Sequence, residues 1–327
     1  MKKVLLINIF TILIIILCIE GSLRIFLNIT PQGLSDGILD LTNVPNFNYP
    51  NVKNKKVFGK NVFTNEKGFR IREKPIEKLK DSKFKNIYFV GGSVTFGSGV
   101  SQSNTFSGIL NIQKENFNVF NASVIGSNFK NNIEIIDKKI IKKNLEFIFV
   151  NFALDDLIPA NQIDVERRHD DNNSLISNLK NNNTLKFINK FIRSKSVTYV
   201  LLKGLIFNSV NSYYQFALNS FTKSSNLDFF LKDLKTIVAK NKTLNNKIVF
   251  LLIPYNQQIK ENNCFKKDFA EKYIENIFEK QKIQLIKFKE VFCMDKNKEK
   301  IFLKYDPSHL SKYGHQVVAT VLKDKIN

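Results

Sequence analysis

Residues 145–152 read Leu-Glu-Phe-Ile-Phe-Val-Asn-Phe, and the centre of that run, Phe147 to Val150, is continuously apolar. A strand that is apolar on both faces must be covered on both. It therefore belongs inside a parallel sheet flanked by helices. Four more short runs, 87–90, 117–121, 247–253 and 283–288, have strand character. Between and after them lie stretches with helical spacing at 105–113, 131–141, 227–240, 265–280 and 311–323. Strands that alternate with helices predict an α/β fold. Here that is a three-layer α/β/α sandwich around a mainly parallel five-stranded sheet.

The run at 87–90 ends in Gly91-Gly92-Ser93-Val94-Thr95-Phe96-Gly97. The C-terminal edge of a parallel sheet is where α/β proteins bind ligands. Glycines let the chain turn there and leave a small residue exposed. A serine in that place can be a nucleophile whose own N–H stabilises an oxyanion. A glycine-rich turn without chemistry, or an anion-binding loop, has the same sequence. A second stretch, Tyr305-Asp306-Pro307-Ser308-His309-Leu310, precedes the final helix, and the chain has only 3 histidines. A serine nucleophile needs a base, and the base needs a carboxylate to orient it. Read alone, this stretch is a turn followed by a helix cap and a surface histidine.

Together the two stretches resemble the SGNH (GDSL-like) hydrolases. Their first block is Gly-Asp-Ser and their last is Asp-x-x-His-Leu ahead of a helix. Here Gly92 replaces the aspartate, a variant found in membrane-anchored bacterial members. The resemblance implies the flavodoxin-like strand order, with Ser93 as nucleophile, His309 as base and Asp306 orienting the base. It also implies an oxyanion hole from the N–H groups of Ser93 and Gly126, with no metal and no cofactor. The family's third block, Gly-x-Asn-Asp, matches best at Ala153-Leu154-Asp155-Asp156, which puts Asp155 at the position of an asparagine donor. A carboxylate only accepts hydrogen bonds unless it is protonated. Four explanations are open. The hole rests on two N–H groups, or uses Asn151, or Asp155 is protonated, or the alignment shifts.

The resemblance further implies an acyl ester substrate, acetyl first, on a cell-envelope or exported glycan. O-acyl transfer to a sugar hydroxyl would use the same acyl-enzyme. A non-catalytic glycan-binding or scaffold protein is the reading that Asp155 favours. The segment Asn65-Glu66-Lys67-Gly68-Phe69-Arg70 resembles one that precedes the catalytic block in anchored members; it reads as a hairpin turn at Lys67-Gly68 without chemistry.

At the N-terminus, Lys2-Lys3 precedes an uncharged run, 4–19, that extends through Gly21 to Ile29. With that extension it is long enough for a bilayer core of about 30 Å. A cleaved signal peptide is the rival, but no small-x-small site is present. The positive-inside rule puts the N-terminus in the cytoplasm and the rest outside a bacterial cytoplasmic membrane. The expected organisation is an anchor over 1–29, a linker and pre-domain segment over 30–85, and the hydrolase-like domain over 86–327. A helical insertion interrupts that domain at about 158–225 and is rich in aromatics such as Phe191, Tyr199, Tyr213, Tyr214 and Phe216. It reads first as packing against the domain, with a cap, a membrane contact or a partner face as the other options.

Lys and Arg total 50 against 29 Asp and Glu, a net charge of +21. The lysines are dispersed, and no basic cluster interleaves with aromatics, so a nucleic-acid partner is not indicated. Attraction to anionic lipid or polysaccharide stays open. His169 has no paired ligand spacing and is assigned no metal. His315 reads as structural. Cys264 and Cys293 are either a disulfide or two buried thiols.

Overall fold

The computed structural model describes residues 2–27, 29–32, 50–53, 55–74, 83–158, 183–206, 208–260 and 263–326. His169 and the polar stretch 170–182 lie outside the described residues.

The five expected strands run together from the middle of the sheet to one edge. They are β4 (Lys85–Val90), β5 (Phe117–Asn121), β6 (Leu145–Phe152), β7 (Ile248–Leu252) and β8 (Gln284–Lys287), which follow three short strands described below. All pairings among these five are parallel, in the order β5-β4-β6-β7-β8. The period of two sends alternate side chains to opposite layers. Tyr88 and Val90 of β4, Ile148 and Val150 of β6, and Phe250 of β7 join one core. Ile87, Phe89, Phe149, Val249 and Leu251 join the other. The rings of Phe89 and Phe149 stack across β4 and β6 with centroids 5.1 Å apart.

The helices that cover the sheet begin where the sequence offers a cap. After the one-turn α2 (Ser93–Phe96), α3 (Phe106–Gln113) starts at Thr105, whose hydroxyl accepts the Gly108 N–H. Helix α4 (Phe129–Lys139) starts with a reciprocal capping box between Asn128 and Asn131. Four helices then precede β7: α5 (Asn183–Lys195), α6 (Val197–Ile206), α7 (Ser209–Asn219) and α8 (Ser224–Thr243). Helix α9 (Phe269–Lys280) is boxed by Asp268 and Glu271, α10 (Lys289–Met294) follows β8, and α11 (Lys312–Lys325) is capped by Ser311. Each such cap contributes about 1 kcal/mol. The N-terminal α1 (Lys2–Phe26) is long and apolar enough to cross a membrane, and none of its apolar window is buried.

The sheet departs from the expected five parallel strands. Among the described residues it has 8 strands and is mixed. Residues expected to be linker and pre-domain supply β1 (Lys55–Val57), β2 (Lys60–Thr64) and β3 (Arg70–Ile71), paired antiparallel, with Arg70 beside Asn121 on the edge of β5. The expected turn at Lys67-Gly68 joins β2 to β3, and Asn65 fastens it by accepting the Lys67 and Phe69 N–H groups. A second turn, Phe58-Gly59, has positive φ at both residues (48° and 74°), the mirror-image geometry that suits a two-residue hairpin. Cys264 and Cys293 are joined as a disulfide.

Candidate active site

Ser93 is the first residue of α2, at the C-terminal end of β4. The glycine two residues before it, Gly91, is required by space. A Cβ on Gly91 would lie 2.5 Å from Thr95 Oγ1. The loop behind the serine is fixed from the antiparallel extension. Buried Arg70 donates to the carbonyl oxygens of Phe96, Gly97 and Val100, and Asn121 Nδ2 donates to those of Thr95 and Phe96.

The loop at 306–309 approaches from the far end of the chain. The N–H groups of Ser308 and His309 donate to Asp306 Oδ1 at 2.9 and 2.7 Å, which folds the loop around the carboxylate. Asn256, just beyond β7, ties the loop to the sheet by donating to the Asp306 and Pro307 carbonyls. His309 Nδ1 lies 2.9 Å from both Asp306 oxygens, and its Nε2 lies 2.8 Å from Ser93 Oγ. The acceptor-only carboxylate assigns the proton to Nδ1, leaving Nε2 to accept the serine O–H. Burial pushes the Asp306 carboxyl up, but the His309 ring and the two N–H groups pull harder. The net result lies below the usual carboxylate range.

Ser93, His309 and Asp306 line a cavity of about 650 Å³ together with Gly126, Asn151, Asp155, Tyr213 and Tyr255. Gly126 turns there with φ 76°, and its N–H meets no acceptor among the described residues. Asn151, 3% exposed at the end of β6, has a buried Oδ1 with no hydrogen-bond partner.

Asp155 does not have the geometry of an oxyanion donor. Tyr213 donates to its Oδ2 at 2.5 Å and Tyr255 to its Oδ1 at 2.7 Å. Both oxygens of Asp155 are taken up as acceptors of phenol O–H groups. Of the four explanations, this geometry favours an oxyanion hole that does not use Asp155, because the asparagine position is held by an acceptor. Burial, with the Asp155 charge next, pushes the phenol of Tyr255 up. Asp156 is buried next door, and its Oδ2 accepts the Ala153 N–H at 3.0 Å. Burial, then the Asp155 charge, raises its carboxyl well above the ordinary range.

Two contributors escaped the sequence reading. Phe58 of the β1–β2 turn packs its ring edge against His309, centroids 4.7 Å apart. Arg70 holds the serine loop. The Val57-Phe58-Gly59-Lys60 turn was the available signal for the first; for Arg70 it was the charged residue ending the Asn65 to Arg70 segment. His315 lies fully buried on α11, accepting the Phe106 N–H; burial and nearby Arg70 push it down to about 3, so it stays neutral.

No family model matches the chain, and no curated protein matches it. Among solved structures it is similar to a lipase/acylhydrolase from Enterococcus faecalis, at 11% identity over 74% of this chain and 95% of that one, with a TM-score of 0.42. It is similar to a member of the lipolytic G-D-S-L family from Veillonella parvula, at 12% identity over 74% and 98%, TM-score 0.41. A catalytic mutant of an acetylxylan esterase from Geobacillus stearothermophilus is similar at 15% identity over 76% and 97%, TM-score 0.41. At identities this low the functional reading rests on the site itself.

Proposed function

We propose that the protein is a serine carboxylic ester hydrolase that removes acyl groups, acetyl first, from a glycan of the cell envelope. The observation that carries this reading is the continuous series from Ser93 Oγ through the His309 ring to Asp306, opening into the cavity that holds Gly126. Ser93 Oγ attacks the ester carbonyl while His309 Nε2 takes its proton. His309 then returns that proton to the departing sugar oxygen, leaving acyl-Ser93. Water, deprotonated by the same ring, attacks the acyl-enzyme, and His309 passes that proton to Ser93 Oγ as the acid leaves. Asp306 holds the ring and stabilises its charged form. The N–H groups of Ser93 and Gly126 face the developing oxyanion, and the Asn151 amide is the side-chain donor in place of Asp155. One such donor is worth about 10²–10³ in rate.

Tyr199, Tyr213 and Tyr255 line the cavity with Asn189 and Asp155, a mixture of aromatic and polar groups suited to a sugar. Helix α1 serves as a single membrane span with the catalytic part outside, where the Cys264 and Cys293 disulfide suits an oxidising compartment.

The test is acetate release from an acetylated oligosaccharide by the full-length protein, compared with Ser93→Ala, with and without a free sugar acceptor. Release that needs Ser93 supports the reading, and acyl passed to the acceptor would move it to transfer. A folded wild type that releases no acyl group would overturn it.

A further inference from the structure

Helix α1 carries a glutamate near its outer end. Glu20 accepts four hydrogen bonds at the start of α6: from the N–H groups of Val197 and Thr198 and the hydroxyls of Ser196 and Thr198, at 2.8–2.9 Å. Arg24, one turn later, pairs with Glu20 and donates to the Lys195 carbonyl. Leu23 and Ile29 pack with Val197 and Val200, and Tyr305, the neighbour of Asp306, lies against the same cluster. The end of the apolar helix is thus bolted to the junction of α5 and α6. If α1 spans a bilayer, that junction sits at the membrane surface.

The outer side of α5–α6 is apolar and open. Ile188, Phe191 and Ile192 on α5 and Leu202, Leu205 and Ile206 on α6 are exposed, Leu205 at 67% and Ile206 at 71%. The other side of the pair lines the Ser93 cavity through Asn189, Tyr199 and Lys203. Sequence positions 183–206 contain 5 basic residues and no acidic one. An amphipathic helix with apolar residues on one side and lysine or arginine on the other partitions to the headgroup boundary and favours anionic lipid.

We infer that α5–α6 lies in the headgroup–acyl boundary of the bilayer that α1 spans, as an anionic-lipid-binding wall that holds the Ser93 cavity at the membrane surface. This goes beyond the esterase reading and does not depend on it. The occupant of the apolar face is lipid, because the face adjoins the bolted end of the apolar helix and the α5–α6 sequence carries charge of one sign only.

Site-directed fluorescence on the full-length protein tests this, in vesicles of phosphatidylcholine with phosphatidylglycerol. Native Cys18 reports on α1. Leu205→Cys and Ile188→Cys, each in a Cys18→Ser background, report on the wall. Ile112→Cys, exposed on α3, is the aqueous reference. The expected result is that dyes at 205 and 188 are quenched by brominated lipid chains and shielded several-fold from iodide relative to 112. Quenching should weaken when phosphatidylglycerol is left out. Dyes at 205 and 188 as open to iodide as 112, with Cys18 shielded, would overturn the wall and leave the span standing. Cys18 open to iodide would overturn both. Shielding from iodide without lipid quenching would assign the face to a protein contact and overturn the lipid assignment. Quenching that is equal without phosphatidylglycerol would overturn the anionic preference.

Discussion

The two walls of the cavity are built differently. On one wall, Asp306 and His309 are three residues apart and the serine loop follows directly from β4, so each half is shaped by local backbone geometry. On the other wall, Asp155 accepts hydrogen bonds from the phenols of Tyr213 and Tyr255, which lie 58 and 100 positions further along the chain. The first wall meets fixed chemical demands: a small nucleophile, a base and a carboxylate. The second is an assembly of helices whose place only tertiary packing decides. The first should therefore govern whether bonds break, and the second what binds and how well the wall holds.

Substitutions can break or sharpen this contrast. The largest effects belong to the first wall. Ser93→Ala and His309→Ala should each lower the rate of ester hydrolysis by about 10⁴-fold or more. Asp306→Asn, which keeps the shape but loses the charge that holds His309, should cost about 10⁴-fold. All three are read as kcat/KM on an activated acetyl ester. Asn151→Ala should cost about 10²–10³-fold in kcat if its amide faces the oxyanion. On the second wall, Asp155→Asn should change kcat by less than about tenfold, well under the loss of one oxyanion donor. A loss as large as that of Asn151→Ala would move Asp155 into the reaction and erase the distinction.

Smaller effects are thermodynamic. Tyr255→Phe removes a buried donor to a carboxylate and should cost about 1.5–3 kcal/mol in urea unfolding, with kcat nearly unchanged. Asp156 gives a pH signature. Its folded pKa is raised, so the folded state binds the proton more tightly than the unfolded chain. That contribution is fully present below the unfolded carboxylate range and is lost as pH rises through the raised folded value. The melting temperature of wild type relative to Asp156→Asn should therefore fall as pH increases. A difference that is flat with pH would mean that Asp156 is not held protonated.

The parallel core was legible because an apolar run such as 147–150 has few other places to go. The serine and histidine stretches were legible as a pair, since each supplies what the other lacks. The antiparallel extension was read as linker because β1, β2 and β3 are only 3, 5 and 2 residues long. Such strands carry little periodic signal and are defined by the β5 edge they meet. Phe58 and Arg70 reach the site through that extension, so their roles were hidden with it. Asp155 was recognised as a mismatch. Its two phenol donors were not, because α7 and the residues after β7 come together only in the folded chain. The cysteine pairing was equally a matter of distance: the Cα atoms are 5.6 Å apart across 29 positions.

The most direct measurement is covalent labelling of the full-length protein with a fluorophosphonate probe, with the modified residue located by mass spectrometry. An activated serine at the end of β4 should give a single adduct on Ser93, formed by wild type and lost in both Ser93→Ala and His309→Ala. No adduct on folded wild type, or one that persists without His309, would contradict a serine nucleophile activated by this histidine.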